Sequence, residues 1–391
     1  MKNPISFFSM LFFLVSCSGP PEESGIIKED RFKARDYFLD EIADSVKIVA
    51  LEKGPTMGEI FHIKAYGSYL FLYDISQELI HLYDIEGHYI NSLTSRGQGP
   101  EEYLDLATFA YNPDRRILTV FSRNGKNLIH YSVPDMKFLS RQHLENYIMS
   151  MEYLNEKVLW VAQEQNLAKD IPGCIGLFDI DTNQFSDLAI KDMSEVSLEF
   201  SADQTVFRKN NDSLYYCFPS FHNKIYLITP NEARAEYTIE FGGASIPEKY
   251  WNWDERPGHS LNLRELFQSD RYAFLPVYFV NRKTSVSFWY MTKPSHSLSM
   301  PPMQLCIFQN TTGEIRSVKN ILLRDLNIGL TPSGIVGDYY LSLLYPGLLE
   351  TLPETSESPV SNRIIEIIKE QAINQDSLTK DLPLLVMYNL Q

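Results

Sequence analysis

A two-strand unit recurs along this chain at nearly constant spacing, and this repeat constrains the fold more than any other feature. Each unit opens with a short run rich in aliphatic and aromatic residues, at 70–73, 117–121, 158–161, 214–217, 286–290 and 339–343. A second apolar run follows each, often with turn residues behind it, at 81–87, 129–135, 176–181, 225–230, 305–309 and 385–389. Leu82, Tyr131, Phe178 and Tyr226 hold matching places and stand 49, 47 and 48 residues apart. The next two gaps, to Phe308 and Tyr388, are 82 and 80. A period near 48 suits a four-stranded antiparallel blade with its loops. Such a blade is apolar on both faces, so it must stack on neighbours, and the units close into a ring. Six pairs predict an all-β fold, a six-bladed β-propeller of four-stranded antiparallel blades over residues 40–391. Aromatic residues at 13% agree with half-buried strand surfaces.

The two long gaps require insertions, at about 242–270 and 350–381. The first holds Trp251, Trp253 and His259, a candidate aromatic platform on which a sugar could stack. The second contains a helical pattern over 362–374. Ile364, Ile365, Ile368 and Ala372 fall on one stripe, with Glu366, Lys369 and Glu370 opposite. That pattern predicts an amphipathic helix lying on the ring. Closure is expected from the strand-like run at 45–51 pairing into the blade built by the C-terminus, which hides two edges at once.

The first sixteen residues place one lysine, Lys2, before a short apolar stretch, the pattern of a signal peptide too short to span a bilayer. The stretch ends Leu14-Val15-Ser16-Cys17, which resembles a bacterial lipobox. Such a box implies cleavage before Cys17 and acylation of its thiol and new amine. Several acyl chains anchor firmly where one alone binds marginally. Residues 17–39 read as a flexible tether, polar and acidic at the start. The expected location is the cell envelope, lipid-anchored, at the outer membrane. The net charge of −15 argues against a nucleic-acid partner, since phosphate affinity needs clustered Lys and Arg.

At Arg96-Gly97-Gln98-Gly99-Pro100-Glu101-Glu102-Tyr103 the chain resembles the G-x-G-P-x-E-Y signature of six-bladed β-propeller lipoproteins from anaerobic, outer-membrane-bearing bacteria. Segments IVALEKG, NKIYLITPNEARAEYTIEFG and LPLLVMYNL are similar to that family as well, so the likeness spans residues 40–390. Glu101 departs from the family, which often has Gly there. The resemblance implies a TolB-like or NHL-like propeller on a lipid anchor, and it carries over no catalytic residues. Read by itself, the octet is a loop: two glycines free to take positive φ and a proline that fixes the turn. Arg96, Gln98, Glu101, Glu102 and Tyr103 are its candidate ligand-binding or inter-blade residues.

No catalytic constellation stands out. The eight histidines are scattered, and no H-E-x-x-H, G-x-S-x-G, P-loop or dinucleotide fingerprint occurs. Cys174, Cys217 and Cys306 are widely spaced with no C-x-x-C. The expectation is therefore a non-catalytic binding module for a glycan, peptide or protein partner, with no cofactor and no metal. The alternative is a metal-dependent hydrolase or lyase with its site at the propeller channel.

Overall fold

The computed structural model of the protein describes residues 25–145, 147–163, 175–188, 207–210, 213–217, 224–228, 233–245, 271–273, 276–292, 302–349, 352–374 and 382–391. The chain enters through β1 (Gly25–Lys28), a 3-10 turn (Arg31–Lys33), β2 (Arg35–Phe38), the one-turn helix α1 (Leu39–Ile42) and β3 (Ala43–Ala50). A meander follows of β4 (Ile60–Tyr66), β5 (Tyr69–Asp74), β6 (Leu79–Asp84) and β7 (Tyr89–Leu93). The next is β8 (Thr108–Asn112), β9 (Ile117–Ser122), β10 (Asn127–Ser132) and β11 (Phe138–His143). Then come β12 (Ile148–Tyr153), β13 (Val158–Gln163), β14 (Ile175–Asp179) and β15 (Gln184–Leu188). They are followed by β16 (Phe207–Asn210), β17 (Ser213–Cys217), β18 (Lys224–Ile228) and β19 (Ala233–Glu240). The last third holds β20 (Pro276–Asn281), β21 (Ser285–Met291), β22 (Met303–Gln309), β23 (Ile315–Leu323), β24 (Ile328–Leu330), β25 (Gly334–Val336) and β26 (Tyr339–Leu344). Helix α2 (Pro359–Asn374) and β27 (Leu384–Leu390) complete it.

These strands form small, mostly antiparallel sheets in a propeller arrangement. Contacts between the sheets run through the first strands of the meanders, from β8 to β12, β16, β20 and β25, and β25 pairs with β4. The strands are apolar on both faces because each sheet is covered on both sides. All seven residues of β21 are buried, for example. Trp160, Trp289, Tyr83 and Tyr131 are fully buried between sheets.

The expectation of six separate four-stranded sheets is corrected. The described strands form five hydrogen-bonded sheets, and only β8–β11 and β12–β15 stand as plain four-stranded units. The largest has eight strands in the order β3-β27-β26-β25-β4-β5-β6-β7. Its two halves are fused by a short parallel pairing, Gly334 with Ile63 and Ile335 with Lys64. Gly334 permits this approach, since a Cβ there would lie 2.2 Å from the Ile63 carbonyl oxygen. β3 pairs antiparallel with β27 from Leu384–Ala50 to Leu390–Ala43, the closure expected from the two chain ends.

The reading of residues 17–39 as a flexible tether also needs correction from Gly25 onward. β1 pairs parallel with β19, and β2 pairs parallel with β23. The segment is thus a strap along the outer edges of successive sheets, and it supplies the fifth strand of one. Ile27 is fully buried and anchors it. Glu29 follows at 2% exposure. Its carboxylate accepts bonds from the Tyr290 hydroxyl at 2.9 Å and the Ser317 hydroxyl at 3.0 Å. Outer edges that would otherwise template foreign strands are covered by the chain itself.

Helix α2 starts three residues before the sequence pattern indicates. Ser358 caps it, accepting from the Ser361 amide at 3.3 Å, and Pro359 takes the first helical position, where its missing N–H costs nothing. Ile364 and Ile365 are buried against the ring, and Ile368 packs beside them. α2 and the single turn α1 are the α-helices among the described residues.

Candidate functional site

A propeller's first strands expose unpaired backbone groups to the central channel, and those groups need partners. Lys64, on β4, supplies some. Its ammonium donates to the carbonyl of Phe109 on β8 and, at 3.2 Å, to that of Met151 on β12. It also lies 5.0 Å from the centre of the Phe109 ring. Tyr66, two residues on and so on the same face of β4, donates its hydroxyl to Glu152 on β12 at 2.8 Å. Burial and the adjacent Glu152 carboxylate hold the Tyr66 hydroxyl well above its ordinary pKa, so it stays a donor. These bonds link β4 to β8 and to β12, the first strands of two further sheets. Ser150 and Thr108 are buried on the same strands, and their hydroxyls have no partner among the described residues.

The octet at 96–103 lies between β7 and β8, where the chain passes from one sheet to the next. Tyr103 is fully buried, and its hydroxyl donates to the carbonyls of Glu78 at 2.7 Å and Leu93 at 3.3 Å. Burial raises its pKa far above the ordinary tyrosine value. The backbone closes on itself through Gly97 N–H to Tyr103 O at 2.9 Å and Tyr103 N–H to Ser95 O at 2.9 Å. The Glu102 carboxylate accepts the Gly99 amide at 2.8 Å. Arg96 pairs with Glu78 at 2.6 Å. The neighbouring sheet holds the loop from the other side: the Tyr131 hydroxyl donates to Glu101 O at 2.9 Å, and Arg141 donates to Glu102 O. A Cβ on Gly97 would meet the Glu102 carboxylate at 2.0 Å, so a side chain there would displace that carboxylate from its place beside the Gly99 amide.

A cavity of about 360 Å³ opens beside this loop. Gln98, Glu102, Leu104, Ser122, Asn127 and Arg141 line it, with the backbone of Gly97 and Gly99. The β7–β8 linker and the β9–β10 hairpin share one face of the ring, because β7 and β9 run in the same direction. Gln98 and Asn127 make no side-chain hydrogen bond among the described residues, and Leu104 is exposed. The site therefore offers two amides, a hydroxyl, one guanidinium, one carboxylate and one apolar group, divided between a loop fixed from both sides and the neighbouring sheet.

Of the residues singled out in the sequence, Gln98 and Glu102 line this cavity, whereas Arg96, Glu101 and Tyr103 build its wall. Cys17, Trp251, Trp253 and His259 lie outside the described residues. Sequence reasoning missed Asn127 and Arg141, which come from a different meander, and missed Lys64, Tyr66 and Glu152. A lysine inside an otherwise apolar strand was the available signal for Lys64. Among the described residues no three His, Cys, Asp or Glu side chains gather to hold a metal ion. No described helix is long and apolar enough to cross a membrane.

No curated protein matches the chain. Among solved structures it is similar to a Bacteroides fragilis protein described as exported, at 16% identity and a TM-score of 0.66, over 94% of this chain and 99% of that one. It is also similar to a member of the DUF4221 family from Bacteroides vulgatus, at 12% identity and a TM-score of 0.49, over 89% of this chain and 97% of that one. At 16% identity the first likeness establishes a shared fold. The model of the Domain of unknown function (DUF4934) family matches residues 27–377, and the chain belongs to that family.

Proposed function

We propose that the protein is a lipid-anchored binding module of the cell envelope, which holds a glycan, peptide or protein partner without transforming it. The observation that carries this reading is the cavity beside the 96–103 loop. Of its hydrogen-bonding amides, Gln98 stands on a loop already fixed by Tyr103, Tyr131 and Arg141, and Asn127 stands on β10, so a ligand meets little ordering cost there. A mix of amide, hydroxyl and apolar contact, with the Arg141 guanidinium and the Glu102 carboxylate offsetting each other in charge, suits a neutral polar ligand such as a glycan or peptide. Acylation at Cys17 would hold the ring at the outer membrane. The ring itself is read as six sectors of the TolB-like or NHL-like kind, two of them sharing the eight-stranded sheet. The likeness of 96–103 to the propeller lipoprotein signature supports both points.

The test is the mature chain screened on glycan and peptide arrays, with hits titrated by calorimetry against Gln98→Ala and Asn127→Ala. Binding that both substitutions weaken by tenfold or more supports the site, since a lost ligand hydrogen bond that strands its partner costs about 1–3 kcal/mol. Array binding that neither substitution affects removes this cavity from the reading. An absence of binding on both arrays and to envelope extracts removes the binding role itself.

A further inference from the structure

The strap at 25–38 carries a surface that the cavity beside the 96–103 loop does not use. Ile26 and Phe32 are 55% and 63% exposed, the two most exposed large apolar side chains among the described residues. Basic residues interleave with them at Lys28, Arg31, Lys33 and Arg35, in a chain whose net charge is −15. Alongside lies an open cavity of about 530 Å³ that Lys28, Lys33, Arg35 and Arg316 line together with Tyr37 and the carboxylates of Asp30, Glu41 and Glu314.

Two of these cations are set apart by their surroundings. The guanidinium carbons of Arg35 and Arg316 lie 4.6 Å and 5.8 Å from the centre of the same Tyr37 ring. Neither has a carboxylate partner among the described residues. The other charges around the cavity are largely spoken for. Lys28 pairs with Glu240 at 3.6 Å, Lys33 with Asp30 at 3.0 Å, and Glu41 with Arg324 at 3.1 Å. Glu314 is the lining carboxylate left outside an ion pair. Arg35 Nε–H also donates to the Tyr37 hydroxyl at 2.7 Å; two guanidiniums gathered at one ring, neither in an ion pair, repel each other and favour an anion between them, and their planar forks match phosphate oxygens.

The position of this surface selects the anion's source. Seven residues separate Cys17 from Gly25, so the thiol stays within about 29 Å of the start of β1. We propose that the face bearing Ile26, Phe32, Arg35 and Arg316 docks on an anionic phospholipid surface, with a headgroup phosphate between the two guanidiniums and Phe32 at the acyl boundary. The proposal rests on the anchoring of the chain at Cys17 only for its setting. Pairing of β1 and β2 with the sheets then fixes how the ring is tilted on the bilayer. An acyl anchor combined with a basic and apolar surface is the two-signal arrangement that gives stable membrane attachment.

The test uses the mature chain with Cys17→Ser, which cannot be acylated at the thiol, in sedimentation with vesicles of phosphatidylcholine alone or mixed with phosphatidylglycerol. The expected result is partition to the mixed vesicles, reduced by high salt, with little to phosphatidylcholine. Each basic group near an anionic surface contributes roughly fivefold, so Arg35→Gln with Arg316→Gln lowers partition about 25-fold. Phe32→Ser, at an exposed position that does not bear on folding, lowers it as well. Equal partition to both vesicle types, no partition to either, or a double variant that binds as the parent overturns the proposal. Competition by inorganic phosphate that abolishes vesicle binding reassigns the site to free phosphate and also overturns it. Intact mass of the chain with Cys17 present, from an envelope-bearing host, reports acylation separately, so failure of the anchor and failure of the docking face give different results.

Discussion

Replacing Tyr103 with phenylalanine isolates a single hydroxyl that fastens the loop between β7 and β8. The ring of Tyr103 stays, so no cavity forms. What is lost is the donor to Glu78 O at 2.7 Å and Leu93 O at 3.3 Å, both in a buried setting. A buried acceptor left unpaired costs about 1–3 kcal/mol. With an unfolding entropy near 2.1 cal/mol/K per residue, a chain of this size loses roughly 1–4 °C in Tm for that penalty. Scanning calorimetry on the parent and Tyr103→Phe measures the shift. Tyr131→Phe removes the bond to Glu101 O at 2.9 Å, which grips the same loop from the other sheet. Because both hydroxyls hold one short segment, the double variant should depart from additivity by about 0.5 kcal/mol or more. A Tm for Tyr103→Phe equal to that of the parent, or strict additivity in the cycle, would refute the idea that the loop is held as one unit from both sides.

Three further outcomes follow from the geometry. Burial lifts the Glu29 carboxyl above its ordinary range, against the lowering effect of the Cys306, Tyr290 and Ser317 side chains. Its contribution to stability is therefore full below the unfolded value of about 4.3 and is lost as pH rises through the folded one. Glu29→Gln stays uncharged, so its Tm relative to the parent should climb as pH is raised from about 4 to 8; a flat difference argues against a buried carboxyl. Burial depresses His130 to about 4, so its stabilising neutral form is retained above the unfolded value near 6.5 and its contribution falls away as pH drops from there towards 4. NMR titration of the His130 ring should show that low midpoint, and one near 6.5 would contradict its burial beside Thr119. Gly334→Ala drives a methyl against the Ile63 carbonyl, at a cost of about 1–3 kcal/mol. Hydrogen exchange at the Ile63 amide, which donates to Ser333 O at 2.6 Å, should accelerate; unchanged protection would mean the two halves of the eight-stranded sheet are not joined there.

Much of the architecture was legible because burial on both faces leaves a strong local mark. The aromatic runs at 70–73, 117–121 and 286–290 became β5, β9 and β21. Ile364, Ile365 and Ile368 at helical spacing became the inward stripe of α2, and the run at 45–51 found β27. The 96–103 loop was visible as a turn from its glycines and proline, although neither Gly97 nor Gly99 takes a positive φ and the loop is held by Tyr131 and Arg141 of the neighbouring sheet. The strap was not visible. Residues 25–38 are rich in charge, and β1 and β2 are only four residues each, so their order comes from partners more than 200 positions away. The channel group was hidden in the same way, because Lys64, Phe109 and Met151 are distant in sequence and each sits on a strand that looks like any other.

The sequence by itself determined that this chain makes many short, two-faced strands, where the apolar pair of each unit lies, and which loop turns between two of them. The tertiary structure alone decided which strand edges meet, and hence that two expected blades merge into one sheet, that the N-terminal strap covers outer edges, and that Arg35 and Arg316 share one tyrosine. The reason is physical. Periodic burial is written into neighbouring residues, whereas edge pairing and the gathering of charges depend on long-range closure that local residue types do not encode.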